Sequence, residues 1–183
     1  MNFITQNDIT NIPKLVQEAL ELKASPLAYQ HLGVGKTLGL LFFNNSLRTR
    51  ISTQKAAQNL GLENIVLSAN DGWKLEFGDG AVMNVDKAEH IKEAAAVMSQ
   101  YFDILGIRAF PSLKNQVEDY SEKLINAFQK NGSIPILNLE SSTQHPLQSV
   151  ADLVTIAEHK TVEKPKIVLT WAPHPKALPQ SVA

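Results

Sequence analysis

Short apolar runs alternating with amphipathic stretches constrain this chain more than any other feature. The runs are Thr37–Phe43, Asn64–Ser68, Asp103–Arg108, Pro135–Leu139 and Lys166–Trp171, each the length of a strand. Between them the apolar residues fall three and four apart. Residues 8–24 carry Ile9, Ile12, Leu15, Val16, Ala19, Leu20 and Leu22 at that spacing. A second helix is predicted from about Leu47 to Leu60, with Gly61 just past its end. Asp86-Lys-Ala-Glu89 has the form of a capping box, with Ile91, Ala94, Ala95 and Met98 as the buried stripe behind it. Leu113, Val117, Tyr120, Leu124 and Phe128 predict one further helix, closed by Asn131-Gly132, and Leu147–Lys160 the next. From Ala69 to Val85 no period is kept, which reads as a long loop of the kind that is more often functional than idle.

Strands alternating with helices pair in parallel through right-handed crossovers. The expected fold is therefore α/β, a parallel sheet with helices on both faces, with its ligand beyond the carboxyl ends of the strands. The run Lys166–Trp171 and the Pro-rich stretch from Ala172 to Pro179 have no partners in the sequence. We expect residues 1–146 to form one domain, and 147–183 a linking helix and the first strand of a second α/β domain.

Composition narrows the function. The net charge is −1 over 183 residues, so no global field favours nucleic acid or an anionic membrane, and any positive charge that matters must be local. No apolar run approaches the roughly 20 residues of a membrane-spanning helix. The start of the chain lacks the basic and apolar regions of a secretory signal. Cys is absent, and the five His form neither His-x3-His nor His-Glu-x-x-His. A cytoplasmic protein without metal or organic cofactor is expected.

Two segments carry the chemistry. Leu38–Phe43 stops at Asn44-Asn45, and Ser46-Leu47-Arg48-Thr49-Arg50 opens a helix. Unpaired helix N–H groups, hydroxyls and guanidinium groups meet there, the composition a doubly charged phosphate calls for. The plain alternative is a capped surface helix with solvated Arg, but cations in a first turn oppose the helix dipole unless an anion offsets them. About a hundred residues on comes Ser142-Thr-Gln-His145-Pro146-Leu-Gln148. Pro146 fixes the backbone beside His145, and Gln148 lies about one turn further, so both side chains can face one ligand. Imidazole there can stabilise charge developing on a carbonyl oxygen. Arg108 ends one apolar strand and is either a binding group or a snorkelling surface residue. Glu140 ends another, as a ligand contact or as a structural partner for an Arg. Trp73, in the long loop, either folds back onto the surface or serves as a lid or subunit contact. A cradle for an anion beside a neutral polarising pair points to chemistry on an acyl phosphate.

At these residues the chain resembles the aspartate/ornithine carbamoyltransferase superfamily. Ser46-Leu-Arg48-Thr49-Arg50 matches its Ser-x-Arg-Thr-Arg motif, Gln144-His145-Pro146-Leu-Gln148 its second motif, and Arg108 the Arg ending its third strand. The resemblance implies two α/β domains and a homotrimer with shared active sites. It assigns carbamoyl phosphate binding to Ser46, Leu47, Arg48, Thr49, Arg108, His145 and Gln148, with Trp73 supplied by a neighbouring subunit, and catalysis to His145 and Arg108. Trp73-Lys-Leu-Glu76-Phe-x-x-Gly80-x-Val82-Met83 and Trp171-Ala-Pro-His174-Pro175 are similar to the branch acting on N-acylated ornithine. That branch implies acceptor contacts at Glu140 and His174, a backbone knot near 171–175, and a role in arginine biosynthesis. The second-domain His-Cys-Leu-Pro motif of the superfamily is absent from these 183 residues.

The acceptor expectation rests on Ala88, which falls where acetyl-type members carry Glu and succinyl-type members a small or apolar residue. Behind an Asp86 cap, Ala88 would sit in a first helical turn whose positive end favours a succinyl carboxylate. N-succinyl-L-ornithine is therefore expected over N-acetyl-L-ornithine. A non-catalytic anion-binding relative would need neither His145 nor Gln148, and an ordinary nucleotide-binding domain would carry a Gly-x-Gly-x-x-Gly or Walker-type loop, which is missing after the first strand.

Overall fold

Four of the five apolar runs lie side by side in one parallel sheet. The computed structural model describes residues 2–69, 73–83 and 86–170. Its strands are β1 (Thr37–Phe42), β2 (Glu63–Ser68), β3 (Leu75–Glu76), β4 (Glu89–His90), β5 (Ile104–Arg108) and β6 (Ile136–Glu140). Its α-helices are α1 (Ile12–Ala24), α2 (Arg48–Asn59), α3 (Ile91–Tyr101), α4 (Gln116–Tyr120), α5 (Lys123–Asn131) and α6 (Pro146–His159). The main sheet runs β2-β1-β5-β6 with every neighbour parallel, while β3 and β4 form a separate parallel pair.

The period of two along the strands sorts the core into two layers. Leu38, Leu40 and Phe42 of β1 and Leu139 of β6 face one way, against Ala57 of α2 and Leu147 of α6. Leu41, Leu105, Ile107 and Ile136 face the other, against Ile91, Ala94, Ala95 and Met98 of α3 and Ile125 and Phe128 of α5. Helices thus cover both faces, as the alternation predicts. The Phe102 ring fills the space a side chain at Gly39 would occupy, so the middle of β1 accepts only glycine. Gly61 follows α2 with φ +78, the left-handed turn expected of a residue ending a helix. One sheet edge is closed by the N-terminal segment: Phe3 N–H donates to Ile136 O at 2.8 Å, and Asn138 N–H donates to Phe3 O at 2.8 Å.

Four expectations are corrected. The single helix expected through Leu113–Phe128 is two, α4 and α5, because Glu122 between them takes the left-handed conformation (φ 50) and Leu113 does so too (φ 61). The apolar period survives such a break, and for that reason it hides it. Asp86 caps nothing; α3 begins at Ile91, with His90 Nδ1 accepting from Lys92 N–H at 3.2 Å, and Asp86 instead pairs with Lys74 at 2.7 Å. The loop after Ala69 is not structureless, since it supplies β3. Residues 166–170 form no strand: no neighbouring strand adjoins them among the described residues, and Ile167, Val168 and Leu169 stay exposed. Trp171, the Pro-rich stretch and His174 lie outside the described residues.

Candidate active site

The carboxyl ends of β1, β5 and β6 open into a cleft of about 530 Å³, and the residues singled out by their chemistry line it: Ser46, Leu47, Arg48, Thr49, Arg108, Glu140, His145 and Gln148. One wall is the turn from β1 into α2. Ser46 Oγ accepts from Thr49 N–H at 3.2 Å, so Ser46 ties down the first turn from one residue further out than the geometric cap, Leu47, which makes no side-chain cap. Helix N–H groups at a first turn have no intrahelical acceptor and carry the positive end of the dipole. Arg48 is exposed at the cleft, whereas the Arg50 guanidinium turns away and stacks 4.8 Å above the Phe42 ring. Ser52 and Thr53, one turn further along α2, also line the cleft. Sequence reasoning missed them, although their spacing from Thr49 places them on its helix face.

Arg108 joins the two walls. A register shift between Ile107 and Arg108 sets Arg108 opposite Glu140, with Leu139 as the additional residue of β6. Its Nη1 donates to Asn44 O at 3.2 Å and Asn45 O at 3.0 Å, bracing the turn that leads to the cradle. Its Nη2 donates to Glu140 Oε2 at 3.3 Å, and its guanidinium lies 4.0 Å from the centre of the Phe110 ring. Phe110 N–H in turn donates to Asn44 Oδ1 at 2.6 Å. Burial lowers the Arg108 pKa and Glu140 opposes that, yet a guanidinium stays charged at any working pH. Arg108 Nε is buried without a hydrogen-bond partner, a donor that an incoming oxygen would satisfy.

The third wall is the start of α6. His145 precedes Pro146, which occupies the first turn where no N–H is needed. The imidazole is only 13% exposed, with Nε2 3.8 Å from Glu140 Oε2. Burial first, and the nearby Arg108 charge second, push its pKa down to about 4, against a smaller opposing pull from Asp152. His145 is therefore a neutral ring at pH 7, able to donate a hydrogen bond without carrying charge. Gln148 Nε2 donates to Asp152 Oδ1 at 2.8 Å, which leaves Oε1 as an acceptor for an amide N–H. Asp152 sits one turn beyond Gln148, and only that spacing could have flagged it.

Two predicted residues lie elsewhere. Trp73 folds against the α3 side of the core near the β2 edge, with its indole N–H donating to Glu89 Oε2 at 3.0 Å. Ala88 is exposed, outside the cleft, and its N–H donates to Lys74 O at 3.0 Å. It precedes α3 rather than sitting in its first turn, so the helix-dipole case for a succinyl carboxylate at Ala88 fails. Among the described residues no group of His, Cys, Asp and Glu is arranged to hold a metal ion, and no helix is long and apolar enough to cross a membrane.

The model of the aspartate/ornithine carbamoyltransferase carbamoyl-P binding domain matches residues 1–158. The chain belongs to this family. It is 49% identical over 181 residues to an N-succinylornithine carbamoyltransferase of Bacteroides fragilis (strain 638R), a match covering 98% of this chain and 57% of that protein. It is 40% identical over 153 residues to an N-acetylornithine carbamoyltransferase of Xanthomonas axonopodis pv. citri (strain 306), covering 81% of this chain and 44% of that one. Its fold superposes on an acetylornithine transcarbamylase complexed with acetylcitrulline at TM-score 0.81 and 34% identity, over 87% of this chain and 48% of the other. The chain thus spans about half the length of the carbamoyltransferases it matches.

Proposed function

We propose that the full-length protein transfers the carbamoyl group of carbamoyl phosphate to the δ-amine of N-succinyl-L-ornithine, giving N-succinyl-L-citrulline and phosphate, as a cytoplasmic step of arginine biosynthesis. The observation that carries the reaction is the convergence in one cleft of a cationic helix start and a neutral imidazole–carboxamide pair. The acceptor rests on the relatives, because identity to N-succinylornithine carbamoyltransferases reaches 49% and 48% against 39–40% for the N-acetylornithine enzymes.

In this reading Ser46, Leu47, Arg48 and Thr49 hold the phosphate. Arg108, Thr49 and His145 donate to the carbamoyl carbonyl, and Gln148 Oε1 accepts from its amide. The neutral δ-amine attacks the carbonyl carbon, a C–N bond forms, the C–O bond to phosphate breaks, and the departing phosphate takes up the amine's proton and leaves as a hydrogen phosphate dianion. Orientation and preformed dipoles supply the rate without metal or organic cofactor. Glu140, already bound to Arg108, and His174 contact the acceptor. Residues 1–146 constitute the carbamoyl phosphate domain, and 147–183 lead into a second α/β domain that holds the amino acid. The active form is a homotrimer in which Trp73 reaches a neighbour's cleft, which suits its place away from its own.

The test is kcat/KM of the full-length enzyme with N-succinyl- and N-acetyl-L-ornithine, followed as phosphate release. Preference for the acetyl compound overturns the acceptor, and no transfer to either overturns the reaction.

A further inference from the structure

The half-buried Glu122 carboxylate is gripped by the connection between β6 and α6. Its Oε1 accepts from Ser141 Oγ at 2.9 Å, from Thr143 N–H at 2.6 Å and from Thr143 Oγ1 at 2.6 Å, and its Oε2 accepts from Ser142 N–H at 3.3 Å. The same turn is closed by Ser141 N–H donating to Gln144 O at 2.8 Å, and Asn138 Nδ2 reaches Ser141 Oγ at 3.0 Å. Ser141–Gln144 is all that separates Glu140 from His145. A turn of Ser, Ser, Thr and Gln has no apolar side chain to anchor it, so its conformation depends on the acceptors it finds.

The backbone supports the same view. Glu122 adopts φ 50, ψ 34, a region that Asn or Gly enters at lower cost than Glu. The backbone at this position would favour Asn, yet the residue is Glu, and its longer carboxylate reaches the turn.

We propose that Glu122 is a positioning residue: by holding the Ser141–Thr143 turn it sets where His145 and Gln148 stand in the cleft. The proposal rests on the carbamoyl transfer reading for its kinetic test, but not for its structural one. Glu122 touches no reacting atom; it acts through the turn. The phosphate cradle on α2 lies outside its reach, so contacts to the phosphate should be kept while those to the carbamoyl group are lost.

The experiment compares full-length wild type with Glu122→Asn and Glu122→Gln. Asn tolerates the left-handed backbone, so the chain folds, but its side chain is one methylene too short for Thr143. Turnover in Glu122→Asn should fall by about tenfold to a hundredfold, the scale of a misplaced catalytic group, while affinity for inorganic phosphate, held by the α2 cradle, stays within about twofold. Glu122→Gln keeps an acceptor oxygen at full reach and should restore part of the loss. Without any substrate, NMR titration of His145 should show its pKa rising from about 4 toward the ordinary value as water reaches the ring. The charged groups facing that ring, Arg108 on β5, Glu140 on β6 and Asp152 on α6, are the same in all three proteins. Wild-type turnover in Glu122→Asn, or a folded variant whose His145 titration is unmoved, overturns the proposal. An inactive wild type would overturn the reaction instead, and the His145 titration would still decide the positioning role.

Discussion

His145 has its ordinary pKa near 6.5 when unfolded and about 4 when folded, which ties stability to pH with a definite sign. Between those values the unfolded chain binds a proton that the folded chain does not, so this residue's contribution is full above about pH 6.5 and is lost as pH falls toward 4. The shift corresponds to about 3 kcal/mol at most. His145→Gln should therefore flatten the stability profile between pH 6.5 and 4, measured by chemical denaturation of both proteins across that range. Identical profiles would mean that the ring is not buried as described. His145→Ala, which removes the donor, should lower turnover by on the order of 10²-fold, the usual cost of one oxyanion donor. Arg48 is the complementary case, a cation at a first turn with no acidic partner in hydrogen-bonding range among the described residues. Arg48→Ala should weaken carbamoyl phosphate binding by about 1.5–3 kcal/mol while leaving stability nearly unchanged. Unaltered saturation by carbamoyl phosphate would remove Arg48 from the cradle.

At the scale of elements, the described part of the loop from Trp73 to His90 is stapled by ion pairs. Lys74 pairs with Asp86 at 2.7 Å, Lys87 with Glu76 at 2.8 Å and Lys92 with Asp79 at 2.8 Å. Glu76 is held low, at about pKa 2, by its hydrogen bond from Lys87 and then by Gly78 N–H. These pairs are exposed and screened by salt, so they order the loop more than they stabilise the fold. Glu76→Gln should speed hydrogen exchange at the Gly78 and Ala88 amides several-fold with little change in melting temperature; unchanged exchange would show that β3–β4 pairing alone holds the loop. These staples also explain why Asp86 misleads. Asp86-x-x-Glu89 has the composition of a helix cap, but Lys74 lies twelve residues back and claims the carboxylate, and His90 caps α3 instead. The cleft was legible for the opposite reason. Strand ends in a parallel sheet converge by topology, so Ser46, Arg108, Glu140 and His145 could be placed together from apolar runs alone. What stayed hidden were long-range side-chain contacts, such as Glu122 to Thr143, and the bulge that turns Arg108 toward Glu140. Neither leaves a period in the sequence.

For the whole molecule, the two sheet edges differ in a way that bears on assembly. The β6 edge is covered by the segment around Phe3, while β2 is the other edge, with Ile65 half exposed on it. Beside β2 lies an apolar groove lined by Ile65, Leu67, Trp73, Val97, Met98 and Tyr101, with Tyr101 73% exposed. A strand edge that no strand covers among the described residues, next to exposed apolar residues, is a surface that proteins ordinarily cover. If Trp73 serves a neighbour's cleft, the neighbour must approach this side of the molecule. A charge in the groove should then separate subunits and remove activity together, because the cleft of each would lose its indole. Val97→Glu in the full-length protein should shift the oligomer toward monomer in analytical ultracentrifugation and lower turnover at low protein concentration, with activity returning as concentration rises. Trp73→Ala should lower turnover at every concentration without the same dissociation. A Val97→Glu monomer with wild-type turnover would place the complete active site within one chain.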